Sequence, residues 1–300
     1  MKLSHIAAVA AVAALVSATA EINPAQAMPG QKYVALGSSY AAGPGIDPET
    51  DAGCMRSASN YPQLLAHRIG ADLVDVTCSG ATTADVLHQS QRLTNGRTMP
   101  PQIDAVTGDT TLVTITIGGN DLGLIAGMLG HSCGPVIAPT RPVVAKVAAQ
   151  VCAAALGAAD EPESADIAAV GDALTRIVET VRSRAPRAEI VLVEYLPALD
   201  AQATTCPDIV PLTGADAISA RHTYDNLIAA TRAAAESTGV RSVHVPDAGQ
   251  HTACSPDPWV SGFSNPLHTG DLSATAGSYH PNSAGMQAVA GHLAEIVNPR

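Results

Sequence analysis

The stretch "YVALGSSYAAGPG" (residues 33–45) decides how the chain is read. Its first half is a short apolar run of the kind that forms a strand covered on both faces. Its second half is small residues, with Gly37, Gly43 and Gly45 as punctuation. A strand that stops in Gly-Ser-Ser presents a hydroxyl at its C-terminal end. Clusters of Gly, Ser and Ala are common as plain turns, so the stretch alone specifies a strand and a turn and no reaction.

Four more runs share its Val/Ile/Leu character: "DLVDVTC" (72–78), "TLVTITI" (111–117), "EIVLVEYL" (189–196) and "RSVHVP" (241–246). With residues 32–37 they make five strands. Between them "NYPQLLAHRIG" (60–70), "TTADVLHQSQRL" (82–93), the stretch 165–185 and the stretch 216–239 read as helices. The last two close at Pro186 and Gly239, as helices do. A final helix spans 283–297. Strand–helix alternation predicts an α/β fold: a single three-layer α/β/α domain around a mostly parallel five-stranded sheet. In such sheets the loops leaving the C-terminal strand ends hold the site. Segments 118–162, 198–213 and 247–279 read as loop-rich insertions, and no repeat or domain boundary interrupts the chain.

Composition narrows the function classes. Of the 300 residues 46% are hydrophobic and 14% charged, which supports a large core and argues against general disorder. One Trp, one Phe and six Tyr leave little for an aromatic platform that stacks bases, so the core is expected to be Ala, Val, Leu and Ile. The net charge of -11, with no basic run, argues against nucleic acid as a partner. Lys2, the apolar stretch "IAAVAAVAALV" (6–16) and the small-x-small "AQA" (25–27) have the form of an export signal cleaved after Ala27. Residues 1–27 are thus expected as signal peptide and 28–300 as one secreted, monomeric domain. All six cysteines follow the signal, which suits disulfides in an exported chain. Six cysteines allow many pairings. Near-neighbour spacing favours Cys54–Cys78, Cys133–Cys152 and Cys206–Cys254 without deciding it. No histidine or cysteine spacing fits a metal site, and no glycine loop fits a phosphate, so no metal and no cofactor are expected. Trp259 reads as structural or as a pocket wall.

If the sheet is parallel, three segments meet at its C-terminal edge: the turn at Ser38-Ser39, "TCSGATT" with Gly80, and "ITIGGND" with Asn120. A fourth, "SYHPNSAG", carries His280 just before the last helix. Ester hydrolysis needs a hydroxyl nucleophile, a base for its proton and donors aimed at the developing oxyanion. A serine, a histidine, an amide side chain and free backbone N–H groups supply these. Asp121, beside Asn120, is read as a cap on the helix that follows, and Ser38 as a turn hydrogen-bonder.

Four such segments in this order resemble the SGNH hydrolase (GDSL-like lipase/esterase) family, and most of all its secreted actinobacterial branch with three disulfides. "HTACSPDPWV" (251–260) resembles a disulfide-bearing loop of that branch. The resemblance implies a flavodoxin-like fold, Ser39 as nucleophile and His280 as general base. It also implies an oxyanion hole from the N–H groups of Ser39 and Gly80 with the Asn120 side chain. Two positions depart from the family's pattern. Ser38 stands where the first segment usually has Asp, and Gly277 stands where many relatives carry the Asp that orients the histidine. Without that carboxylate the expected orienter is the Gly277 carbonyl, which makes a Ser–His dyad, with Asp271 as the rival. The implied activity is a secreted serine esterase or lipase acting on carboxylic, fatty-acyl esters, with transient contact to a lipid surface. Polysaccharide deacetylation or acyl transfer would use the same residues, and a catalytically inactive binding protein is the reading outside enzymology.

Overall fold

The computed structural model describes residues 30–137, 162–265 and 275–297. The expected signal segment 1–27, the domain start at residue 28, Cys152 and Asp271 lie outside these residues. Five strands, β1 (Lys32–Gly37), β2 (Asp72–Asp75), β3 (Thr110–Thr116), β4 (Glu189–Val193) and β5 (Arg241–Val243), form one sheet in the order β2-β1-β3-β4-β5. Every neighbouring pair is parallel. That is the doubly-wound order in which the crevice opens between β1 and β3, where the chain's winding direction reverses.

The helices are α1 (Ser39–Ala42), α2 (Tyr61–Ile69), α3 (Thr83–Leu87), α4 (Leu124–Ile137), α5 (Ser164–Arg184), α6 (Gly214–Thr238) and α7 (Ser283–Val297). Right-handed crossovers from a sheet that reverses at β1 send α2 to one face and α3, α5 and α6 to the other. The packing agrees: α2 lies against α7, while α5 lies against α6 and α3. Helix ends follow local chemistry. The Asn60 side chain accepts the Gln63 N–H at the start of α2, and left-handed Gly70 ends it. Thr213 and left-handed Gly239 do the same for α6. In α5 Val170, Leu174, Ile177, Val178 and Val181 form the buried stripe that helical spacing predicts.

Two expectations for local structure are corrected. The helix expected over 82–93 stops at Leu87, and Gln91–Arg92 pairs antiparallel with Thr98–Met99. The cause is the Asn95-Gly96 turn, with Gly96 at φ 84, which folds residues 91–99 back as a ribbon. Segment 118–162, expected as loop, contains α4. Its sequence "LIAGMLGHSCGPVI" is apolar almost all round, so its glycines mask the helix and no polar face marks the period.

All six tyrosines are buried, so the core is less purely aliphatic than composition implied. Each hydroxyl has a partner, as buried phenols require: among them Tyr33 with Thr114 Oγ1 at 2.6 Å and Tyr61 with Thr116 Oγ1 at 2.8 Å. Two of the three expected disulfides join described residues, Cys54 to Cys78 and Cys206 to Cys254. The third involves Cys152, outside them.

Candidate active site

The register of three adjacent strands brings the first three segments together. Gly37, the last residue of β1, is paired with Thr116 at the end of β3. On its other side the Gly37 carbonyl accepts the Cys78 N–H at 3.0 Å. The turns after β1, β2 and β3 therefore leave the sheet side by side. Gly37 must be glycine, because a Cβ there would lie 2.7 Å from the Thr116 carbonyl oxygen. The buried Gln102 amide clamps the same residue, accepting the Gly37 N–H at 2.8 Å and donating to its carbonyl at 3.0 Å.

Ser39 opens α1 directly after this clamp, with Ser38 as extended N-cap. Its N–H is one of the helix's orphan donors and faces no acceptor among the described residues. Gly80, in the turn after β2, has φ 81, a conformation that favours glycine. Asn120 and Asp121 grip that turn from the β3 side. Asn120 Nδ2 donates to the Ala81 carbonyl at 2.8 Å. Asp121 does not cap the helix that follows it: it accepts the Thr83 N–H at 3.1 Å and the Thr83 hydroxyl at 2.6 Å, at the start of α3. Burial raises the Asp121 carboxyl above its ordinary range, and the two Thr83 bonds pull it back. The second Asn120 amide hydrogen has no acceptor among the described residues.

His280 arrives from the opposite side. Its Nε2 lies 2.8 Å from Ser39 Oγ and its Nδ1 2.8 Å from the Ser278 carbonyl oxygen. A carbonyl only accepts, so Nδ1 carries the proton and Nε2 is the free acceptor aimed at the serine hydroxyl. This corrects the expected orienter. The Gly277 carbonyl instead accepts the His280 backbone N–H at 3.2 Å, the bond that closes the turn. Tyr279 stands at φ 58 and rotates the Ser278 carbonyl under the ring. A left-handed tyrosine costs about 1–2 kcal/mol. Its surroundings hold it there: its hydroxyl meets Ser132 Oγ at 2.6 Å and its carbonyl accepts the Tyr40 hydroxyl at 2.8 Å. Desolvation pushes the His280 imidazole down to about 4, only partly offset by the Ser278 carbonyl. The ring is thus neutral across ordinary pH, with Nε2 free to accept a proton. Ser39 and His280 keep 7% and 6% of their surface exposed, which leaves an edge for a substrate atom.

The histidine segment is framed by backbone bonds to residues 259–261. Ser261 N–H donates to the His280 carbonyl at 2.9 Å, Tyr279 N–H to Ser261 at 3.1 Å and Asn282 N–H to Trp259 at 2.9 Å. Trp259 packs as a wall of this frame, its ring stacked on His251 with centroids 4.0 Å apart. The Ala253 N–H donates to the Ala198 carbonyl, and the neighbouring Cys254 is bonded to Cys206. Beside Tyr40, the residue after Ser39, lies a small and mostly apolar hollow lined by Leu124, Ile125, Met128, Ala198 and Leu199, with Arg221 as its one charged wall. Among the described residues no group of three or more His, Cys, Asp or Glu could hold a metal ion.

The structure thus gathers Ser39, Gly80, Asn120 and His280 at one edge of the sheet, and places Ser278 where Gly277 was expected. Sequence reasoning passed over Gln102 and Tyr195. Tyr195 carried one signal, a tyrosine at a C-terminal strand end in a chain with few aromatics.

The chain resembles known proteins along almost its whole length. Residues 35–288 match the model of the GDSL-like Lipase/Acylhydrolase family. Lipase 2 of Streptomyces coelicolor is 35% identical over 97% of this chain and 95% of its own length. Among solved structures, phospholipase A1 from Streptomyces albidoflavus superposes with a TM-score of 0.62 at 26% identity, covering 88% of this chain and 99% of its own. The extracellular lipase of Streptomyces rimosus gives 0.61 at 28% identity, covering 87% and 99%. The chain belongs to the GDSL-like lipase/acylhydrolase family.

Proposed function

We propose that this ester hydrolase cleaves carboxylic esters of apolar acyl groups through an acyl-enzyme on Ser39. The observation that carries the reading is the contact of Ser39 Oγ with an unprotonated Nε2, in a histidine whose other nitrogen is fixed by the Ser278 carbonyl. Nε2 takes the Ser39 proton as Oγ adds to the ester carbonyl carbon. The negative charge that forms on the carbonyl oxygen faces the N–H groups of Ser39 and Gly80 and the Asn120 amide. Collapse of the adduct breaks the bond to the alkoxy oxygen, which leaves as the alcohol with the proton from Nε2. Water, deprotonated by the same nitrogen, then releases the acid and restores Ser39. Among the described residues no carboxylate contacts the His280 ring, and the group that faces the imidazolium there is the Ser278 carbonyl dipole.

The apolar walls beside Tyr40 favour a hydrocarbon acyl chain over acetyl. The names of the Streptomyces relatives, lipases and a phospholipase A1, point the same way. The disulfides and the apolar N-terminal run support export with cleavage after Ala27. The test is release of p-nitrophenol from acetyl and decanoyl esters, with a serine-directed phosphonate as label. The expected result is faster turnover of the decanoyl ester and labelling at Ser39. Turnover confined to acetyl esters overturns the acyl assignment, and no turnover with no label at Ser39 overturns the mechanism.

A further inference from the structure

Tyr195 follows β4 and lies in none of the four segments that carry the proposed chemistry, yet it touches two of them directly and reaches a third through Tyr40. Its hydroxyl is 2.8 Å from Ser38 Oγ, in the turn that presents Ser39. The same oxygen accepts the Gly119 N–H at 3.2 Å, one residue before Asn120. Its ring stacks on Tyr40, the residue after Ser39, with centroids 4.1 Å apart. Tyr40 in turn donates to the Tyr279 carbonyl, one residue before His280.

We propose that Tyr195 is a positioning residue, whose single hydroxyl sets the nucleophile turn and the oxyanion loop at a fixed separation. A phenol has one donor hydrogen and two lone pairs. Accepting from Gly119 therefore leaves its hydrogen for Ser38, and both bonds form at once. Burial raises the Tyr195 hydroxyl far above its ordinary range, so it stays a neutral donor. Gly119 is shaped for this contact: a Cβ there would lie 2.7 Å from the Tyr195 ring carbon Cε1 and 2.9 Å from its oxygen. Ser38 has no other hydrogen-bond partner for its side chain among the described residues and is almost fully buried. Without Tyr195 the serine turn and the Gly119–Asn120 turn would each lose a buried bond and the common point that relates them. A shift of a few tenths of an ångström between nucleophile and oxyanion donors weakens the transition state far more than the bound ester.

The inference rests on the proposed ester-hydrolase mechanism, and one assay separates the two. Wild-type enzyme, Tyr195→Phe, Ser38→Ala and the double variant are compared on a soluble p-nitrophenyl ester, with melting temperatures alongside. Tyr195→Phe keeps the stacked ring and loses only the hydroxyl. It is expected to lower kcat roughly 10- to 100-fold with KM within about twofold, and to slow phosphonate labelling of Ser39 in proportion. Ser38→Ala, which leaves the Gly119 bond in place, is expected to lower kcat by roughly 3- to 10-fold at unchanged KM. The double variant should match Tyr195→Phe alone, because the shared bond can be lost only once. The acid limb of the pH profile should stay where it is in the wild type. Three results overturn the proposal: Tyr195→Phe turning over at the wild-type rate, losses that multiply in the double variant, or an effect confined to KM. If Tyr195→Phe fails to fold, Ser38→Ala decides alone, and a wild-type kcat there overturns it. A wild type without turnover overturns the mechanism itself.

Discussion

The serine half and the histidine half of the site are built by different means. Ser39, Gly80 and Asn120 hang from three hydrogen-bonded parallel strands, so the ladder that registers Gly37 on Thr116 also registers the three turns. His280 belongs to no strand of that sheet. It is held by a left-handed tyrosine, three backbone bonds to residues 259–261 and a disulfide further out. The first half inherits its precision from secondary structure, and the second assembles it from tertiary contacts. The halves meet at the hydrogen bond from Ser39 Oγ to His280 Nε2, and beside it at the bond from the Tyr40 hydroxyl to the Tyr279 carbonyl.

The hardest way to break that arrangement is at the meeting point. Ser39→Ala should lower kcat by roughly 10⁴- to 10⁶-fold while the melting temperature stays near wild type, since the hydroxyl anchors no structure. A melting curve that collapses with the rate would make Ser39 a structural residue. Within the serine half alone, Asn120→Ala should lower kcat by about 10²- to 10³-fold with little change in KM. Steady-state kinetics on the decanoyl ester read this directly, and a pure KM effect would remove Asn120 from the oxyanion hole.

The histidine half has its own signature in pH. Nε2 must be unprotonated to act, and the ring titrates at about 4, so kcat/KM should be level at neutral pH and fall about tenfold per unit below that value. The same burial makes stability pH-dependent. The unfolded chain takes up the proton near 6.5, the folded chain only near 4. Stability is therefore full above 6.5 and declines as pH falls through that window, because the unfolded state binds the extra proton. An acid limb near 6.5 would mean a solvated ring or an added carboxylate. The smallest expected effect is that of Asp271→Asn, which should leave kcat within about twofold because the Nδ1 hydrogen is already taken by Ser278. A loss of orders of magnitude would put a carboxylate behind His280.

The same division explains what could be read in advance. Strand runs such as "YVAL" and "TLVTITI" carry their own signal, and the α/β alternation follows from them with the place of Ser39, Gly80 and Asn120. His280 was found through its motif, but its orienter was not. Choosing between the carbonyls of Gly277 and Ser278 requires knowing that Tyr279 adopts a positive φ, which tertiary contacts impose on a residue type that avoids it. Tyr195 was missed for a similar reason, since its partners Ser38 and Gly119 lie 157 and 76 residues away. Helix α4 was hidden by being apolar on all sides, and the ribbon at 91–99 by an Asn-Gly pair inside a stretch that otherwise suits a helix.

The placement of the aromatic residues also gives the protein two built-in optical channels. Its one tryptophan, Trp259, sits in the frame of the histidine half, stacked on His251 and bonded through its carbonyl to Asn282. Tyr33, Tyr40, Tyr61 and Tyr195 lie within or against the sheet that carries the serine half. Indole emission therefore follows the loops around His280, while four of the six phenols follow the sheet, Tyr279 belonging to the histidine half and Tyr224 to α6. Loosening of one half ahead of the other during unfolding would be visible as two separate transitions in the unlabelled wild-type protein.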